Sequence, residues 1–278
     1  MGGEAKVTPL SFGLFLVLTL LLGYIGFAES GFDERSEKKI GKVPSSCELN
    51  RDGYLRQPAN ALSSLSITIV GLVILHRAGK MPVQSSANYS ARQVSPYCEL
   101  TLETNIYAFL TILVGMGAFY AHGSMTVFGQ HFDRIAMAAW ILLPLTYAAM
   151  RAFSRGRLFH HLAWSISSVS SAWLMLNLDK FGITDLYFIL VPIWIGLEII
   201  AHLRNGNGIN RNTLIGSLLF LFAYASRSLG TKGAETCASE SLLQGHALWH
   251  IFCAVVIWFF WLHLQSVSPS NIDEEITQ

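Results

Sequence analysis

Long apolar runs alternate with short polar stretches along this chain. Eight such runs lie near 9–28, 59–78, 105–122, 132–151, 158–177, 183–203, 212–229 and 246–264. Each has roughly the 17–25 residues that a helix needs to cross a bilayer's hydrocarbon. Inside lipid only the chain itself can satisfy backbone N–H and C=O groups, so each run is expected to be a helix. The pattern predicts an all-α integral membrane protein. Residues 59–265 form a seven-transmembrane helical bundle, preceded by one extra N-terminal hydrophobic helix. That first run, 1–28, reads as an anchor or as a signal peptide cut after small Gly26 and Ala28. Its flank carries a single basic side chain, Lys6, which makes a weak signal and favours an uncleaved span. Segment 29–58 is then a loop on the non-cytoplasmic side, and 266–278 a cytoplasmic tail.

Composition and charge sharpen this picture. The chain is 52% hydrophobic and 13% charged, where a soluble domain carries about a quarter. A net charge of +1 gives no sign of nucleic-acid binding. Arg77, Lys80, Arg92, Arg151, Arg155, Arg157, Arg204 and Arg211 flank one set of loops, whereas the opposite short loops carry chiefly Lys180, Arg227 and Lys232. The positive-inside rule puts the first set in the cytoplasm. Segment 29–58 holds six basic and six acidic residues and argues only weakly against that orientation.

Four polar residues stand out against this background. His246 and His250 are four apart at the start of the last run, so a helix projects both imidazoles from one face. His122 closes another run and Asp133 opens the next. The topology, assigned without them, brings all four to the outer leaflet. Three imidazoles plus water are the usual open sphere of a catalytic zinc (Zn2+), and a carboxylate beside it handles the water's proton. The bland alternatives are interhelical hydrogen bonds for the histidines, and for Asp133 a pair with Arg134 or a helix cap. Cys47 and Cys237 fall in outer segments, Cys98 in a cytoplasmic loop and Cys253 inside the last span. A Cys47–Cys237 disulfide is the expectation and two free thiols the alternative. His131 reads as a loop residue, His160 and His161 as interfacial, and Glu198 as a partner of Arg204 or an interfacial side chain. The Asn88-Tyr-Ser sequon lies on the cytoplasmic side, where it stays unmodified.

At these residues the chain resembles the alkaline ceramidase family, within a superfamily that includes progestin/adipoQ-type receptors and GPI-anchor lipid-remodelling hydrolases. The matching blocks are Cys47-Glu-Leu-Asn50 with Asn60, Gly115-Met-Gly-Ala-Phe-Tyr-Ala-His122, Asp133, and Gln244-Gly-His-Ala-Leu-Trp-His-Ile251. The resemblance implies zinc on His122, His246 and His250, with Asp133 moving the proton of the attacking water. It also implies hydrolysis of the ceramide amide to a sphingoid base and a fatty acid. A membrane lipid is then the substrate, in the endoplasmic reticulum or Golgi, with the site on the non-cytoplasmic side. Protein partners are not indicated. Two departures matter. Ala118 stands where the family has a serine that helps hold the oxyanion. The calcium (Ca2+) loop of the animal enzymes is matched at Glu48 and Asn50, but Ser45-Ser46 replaces its Asp-Trp and Gln57 a later glutamate. Ala118 keeps two other readings open: a different lipid hydrolase of the superfamily, or a non-catalytic receptor-like zinc protein.

Overall fold

The computed structural model describes residues 8–32, 46–80, 95–98, 101–177, 187–205 and 210–267. Within them the chain forms α1 (Pro9–Glu29), α2 (Pro58–Ala78), α3 (Leu102–Ser124), α4 (Val127–Ala152), α5 (Arg157–Leu176), α6 (Tyr187–Asn205), α7 (Arg211–Leu229) and α8 (Gly245–Ser266). The only β pairing among the described residues is one isolated bridge between Ser46 and Thr231. The protein is an all-helical integral membrane bundle. Five helices, α1 to α4 and α8, are long and apolar enough by length and composition to cross a bilayer. The other three have 19 or 20 residues, so each is about 29–30 Å long. Exposed Leu158, Leu162, Ile166, Val169 and Trp173 recur every three or four residues on α5, giving it an exposed apolar stripe.

Local chemistry sets the helix starts. Pro9 and Pro58 stand in the first turns of α1 and α2, where a missing N–H costs nothing. Thr8, Thr101, Thr126 and Asn210 cap α1, α3, α4 and α7 through side-chain oxygens. One boundary differs from the sequence expectation. Helix α4 starts at Val127 and not near 132, because Thr126 caps it by accepting from the Gly129 N–H. His131 and Asp133 therefore lie inside the helix, and Asp133 does not cap it. Gln130 and His131 dilute the apolar signal of this first turn and a half.

Helix α2 packs on α3, α3 on α4, and α4 on both α5 and α6; α7 packs on α8, which returns to α2. Helix α1 lies outside against α2 and α3. Buried polar groups stitch the bundle. Tyr107 Oη donates to the Ile257 carbonyl at 2.8 Å, and Trp140 Nε1 to Thr111 Oγ1 at 3.0 Å.

Away from the histidine cluster, the charge pattern hid a core network. Glu198 does not pair with Arg204, which caps the end of α4 by donating to the Ala152 carbonyl at 2.7 Å. It takes the Arg151 guanidinium on both oxygens, at 3.1 and 2.9 Å, and His263 Nε2 lies 3.1 Å away. Arg151, read from sequence as a flanking cytoplasmic charge, is 1% exposed. His160 is buried rather than interfacial, with Nδ1 3.0 Å from Thr146 Oγ1. The Asn88 sequon and the acidic Asp273-Glu-Glu275 tail lie outside the described residues.

Glu198→Ala leaves a guanidinium buried without its counter-charge, which typically costs about 3–5 kcal/mol. Thermal or denaturant unfolding in detergent should show that loss, and Arg151→Met/Glu198→Met should recover most of it. A single variant as stable as the parent would show that the pair contributes nothing.

Candidate metal centre

His122 sits in the last turn of α3, and His246 and His250 occupy the first two turns of α8. The bundle brings the ends of these helices together. One ring nitrogen from each histidine lies within 4.8 Å of the others. The Nε2 atoms of His122 and His246 are 3.1 Å apart, and the three ring centroids are separated by 4.8, 5.1 and 4.9 Å. A tetrahedral zinc with Zn–N bonds of about 2.0–2.1 Å places its nitrogens about 3.3 Å apart.

The other ring nitrogens explain why lone pairs face inward. Gln57 directs its amide NH2 to the Glu48 carbonyl and Asn50 Oδ1, at 3.2 and 2.9 Å, which turns Oε1 toward His122. His122 Nδ1 lies 2.8 Å from that oxygen. An amide oxygen only accepts, so Nδ1 carries the proton and Nε2 a lone pair. His250 Nδ1 likewise donates to the Asn60 carbonyl at 3.0 Å, with Ser63 Oγ also at 3.0 Å. Two rings are thus locked with their Nε2 atoms bare, as metal-ligating histidines are by their outer partners. A set of neutral nitrogen donors suits zinc.

The loop before α2 supplies these partners. A Cys47–Cys237 disulfide ties it to the α7–α8 connection. The Cys47 N–H donates to Gly230 O and the Leu49 N–H to Ser239 O. Both carboxylate oxygens of Glu48 accept backbone N–H groups at the start of α2, from Ala59 at 2.8 Å and Asn60 at 2.9 Å. Glu48, Asn50 and Gln57, the residues that resemble a calcium loop, therefore do sit together. Their side-chain oxygens are engaged in capping α2, receiving the Gln57 amide and holding His122.

Asp133 faces the same cavity as the three histidines. Gly117 permits this approach, since a Cβ there would lie 2.8 Å from the Asp133 Cα. Ala118 also lines the cavity. Ser124 does not stand in for the missing serine, because its hydroxyl donates to Tyr120 O at 2.6 Å and lies 2.8 Å from Thr126 Oγ1. Gln57, Asn60 and Ser63 are site residues whose support of the histidines the sequence reading missed. Their signal was a run of polar residues, Asn60, Ser63 and Ser64, in the first turns of an apolar span.

From the histidines a cavity of about 550 Å³ extends between α3, α4, α6, α7 and α8. Ser46, Gln57, Gln130 and Arg227 line it together with the histidines; Trp140, Val191, Trp194, Phe220, Val256 and Phe260 give it apolar walls, and Glu198, His202 and His263 also reach it.

Fold and cluster together define a polytopic helical membrane protein with a candidate three-imidazole metal centre opening on an apolar cavity. A family model described as Ceramidase matches residues 51–277, most of the chain, and the chain belongs to the ceramidase family. The resemblance seen in the sequence blocks is thereby borne out. No curated protein matched the chain.

If Gln57 fixes the His122 tautomer, Gln57→Leu should weaken metal binding at the three histidines, probed with added zinc, by about 10–100-fold, as removal of outer-shell partners typically does. Competition against a chromophoric chelator measures this. Unchanged affinity would show that the hydrogen bond does not tune the ligand.

Proposed function

We propose that this protein is a zinc-dependent amidohydrolase that cleaves the N-acyl bond of ceramide or a related sphingolipid, releasing a sphingoid base and a fatty acid. The observation that carries this reading is the convergence of His122, His246 and His250, two of them tautomer-locked, on an apolar cavity in a ceramidase-family chain. Zinc held by these histidines supplies Lewis acidity toward the amide carbonyl and makes water acidic enough to attack near neutral pH.

The chain's own groups do the rest. Gln57 and Asn60 keep two imidazoles oriented and their Nε2 atoms unprotonated. The Asp133 carboxylate takes the proton of the attacking water and returns it to the leaving amine nitrogen. The apolar walls receive an acyl chain and keep bulk water from it. The cavity is lined by both helix pairs, α4 with α6 and α7 with α8, and in this reading a lipid substrate reaches it from the bilayer. The Cys47–Cys237 disulfide lies at the same end of the bundle as the histidines, which supports a site facing an oxidising, non-cytoplasmic compartment such as the lumen of the endoplasmic reticulum or Golgi.

Ala118 on the cavity wall favours a second reading, in which the metal is kept for a different lipid substrate or for a non-catalytic, receptor-like role.

Protein purified in detergent is expected to hold about one zinc per chain, the count that a single three-histidine site gives, and to release fatty acid from one or more of a panel of ceramides. His246→Ala should lose both. Ala118→Ser is expected to raise turnover by about 10²–10³-fold, the usual worth of one oxyanion donor. Zinc without release in either form would favour the second reading, and a folded protein that binds no zinc would overturn the first.

A further inference from the structure

Helix α1 precedes the residues matched to the family, yet it reaches the support of the metal centre. Phe12, Phe15, Leu18 and Leu22 are exposed along its outer face, while Leu16, Leu20 and Leu21 pack partly buried against the core. Tyr24 is its one fully buried large side chain, at 3% exposure. Its ring packs edge-on against Phe119 and Tyr120, at centroid distances of 4.8 and 5.0 Å, in the turn that leads to His122. It also covers Gly123, the residue after His122, where a Cβ would come within 2.4 Å of the Tyr24 hydroxyl oxygen. Only glycine leaves room for this ring.

The hydroxyl makes one further link. Tyr24 Oη donates to the Tyr54 carbonyl at 2.6 Å. Two and three residues on, the Arg56 N–H donates to Gly123 O at 2.8 Å and the Gln57 N–H to His122 O at 3.1 Å. The next contact in this chain is Gln57 Oε1 to His122 Nδ1, at 2.8 Å. Tyr120 Oη returns the connection by donating to the Leu20 carbonyl of α1 at 2.6 Å. For packing alone a phenylalanine would fill the space as well. The tyrosine hydroxyl is what joins α1 to the loop that carries Gln57.

We propose that α1 is a retained, working part of the metal centre and that Tyr24 is a positioning residue. It holds the 54–57 loop against the last turn of α3, so that Gln57 keeps His122 in the form whose Nε2 faces the metal. This rests on the zinc reading of the three histidines. It also requires the first apolar run to stay with the protein: α1 runs unbroken through Gly26 and Ala28, and a cut there would remove Tyr24.

The test uses the full-length protein, Tyr24→Phe, Tyr24→Ala, and Phe12→Ala as a control. Phe12 packs on Phe109, 5.3 Å between centroids, away from the loop. Zinc affinity is read by chelator competition, and site geometry by the visible spectrum of the cobalt-substituted protein. Tyr24→Phe should weaken zinc by about tenfold and Tyr24→Ala by about 100-fold, the range that outer-shell losses span. Both should alter the cobalt spectrum and lower kcat more than they raise KM. Phe12→Ala should lower thermal stability and leave affinity and spectrum as in wild type. The intact mass of the purified protein should include α1. Wild type that binds zinc, with Tyr24 variants matching it or losing zinc only as Phe12→Ala does, would overturn this inference and leave the zinc reading standing. So would a mature chain that begins after Ala28 and binds zinc. Wild type that binds no zinc would overturn both.

Discussion

Three imidazoles facing one another within an apolar bundle cannot be held by packing alone. Each ring has two nitrogens, and the cluster is useful to a cation only if the inward nitrogens lack protons. The hydrogen bond from His122 Nδ1 to Gln57 Oε1, and its counterpart from His250 Nδ1 to the Asn60 carbonyl, meet that requirement by placing the proton on the outward side. Much of the nearby architecture serves these two bonds. Glu48 caps the helix that begins beside Gln57, the Cys47–Cys237 disulfide ties the loop to the approach of α8, and the Gln57 amide is fixed in its orientation by the Glu48 carbonyl and Asn50.

The same economy governs the cavity. Small residues let helices approach at the cluster, while long side chains span the space elsewhere. Gly117 brings α4 close enough to set Asp133 on the cavity wall, whereas the α6 residues Trp194 and Glu198 reach across to Phe260 and His263 of α8. The Arg151–Glu198 pair is costly to desolvate, and it joins α4 to α6. The result is a chamber with a histidine cluster that could hold a metal ion near one group of helix ends, apolar walls, and the Arg151–Glu198–His263 network reached by the same space.

The resemblance to calcium-binding ceramidase loops is best understood beside this geometry. Glu48 and Asn50 have the residue types of that loop, but in this chain their oxygens already receive N–H donors. Gln57, the position that departs from the family's glutamate, has an amide with both a donor and an acceptor. It can therefore grip the loop with one end and the His122 ring with the other, which a carboxylate with two acceptor oxygens cannot do.

The sequence by itself determined the eight helices, because lipid-length apolar runs admit no other backbone solution. It also determined that His246 and His250 share a helix face, a consequence of four-residue spacing. The Thr126 cap was legible in residue type, though the polar residues after it concealed where α4 begins. What only the tertiary structure decided are pairings between residues far apart in the chain. Gln57 meets His122 across 65 positions, Arg151 meets Glu198 across 47, and Tyr24 meets the Tyr54 carbonyl across 30. Periodicity reports which face of a helix is apolar, but not which buried partner a polar side chain finds there. Arg151 therefore read as a surface charge, and Tyr24 as one more residue of an apolar run. Their roles emerge only once the packed bundle removes water and buried polar groups must find partners within the protein.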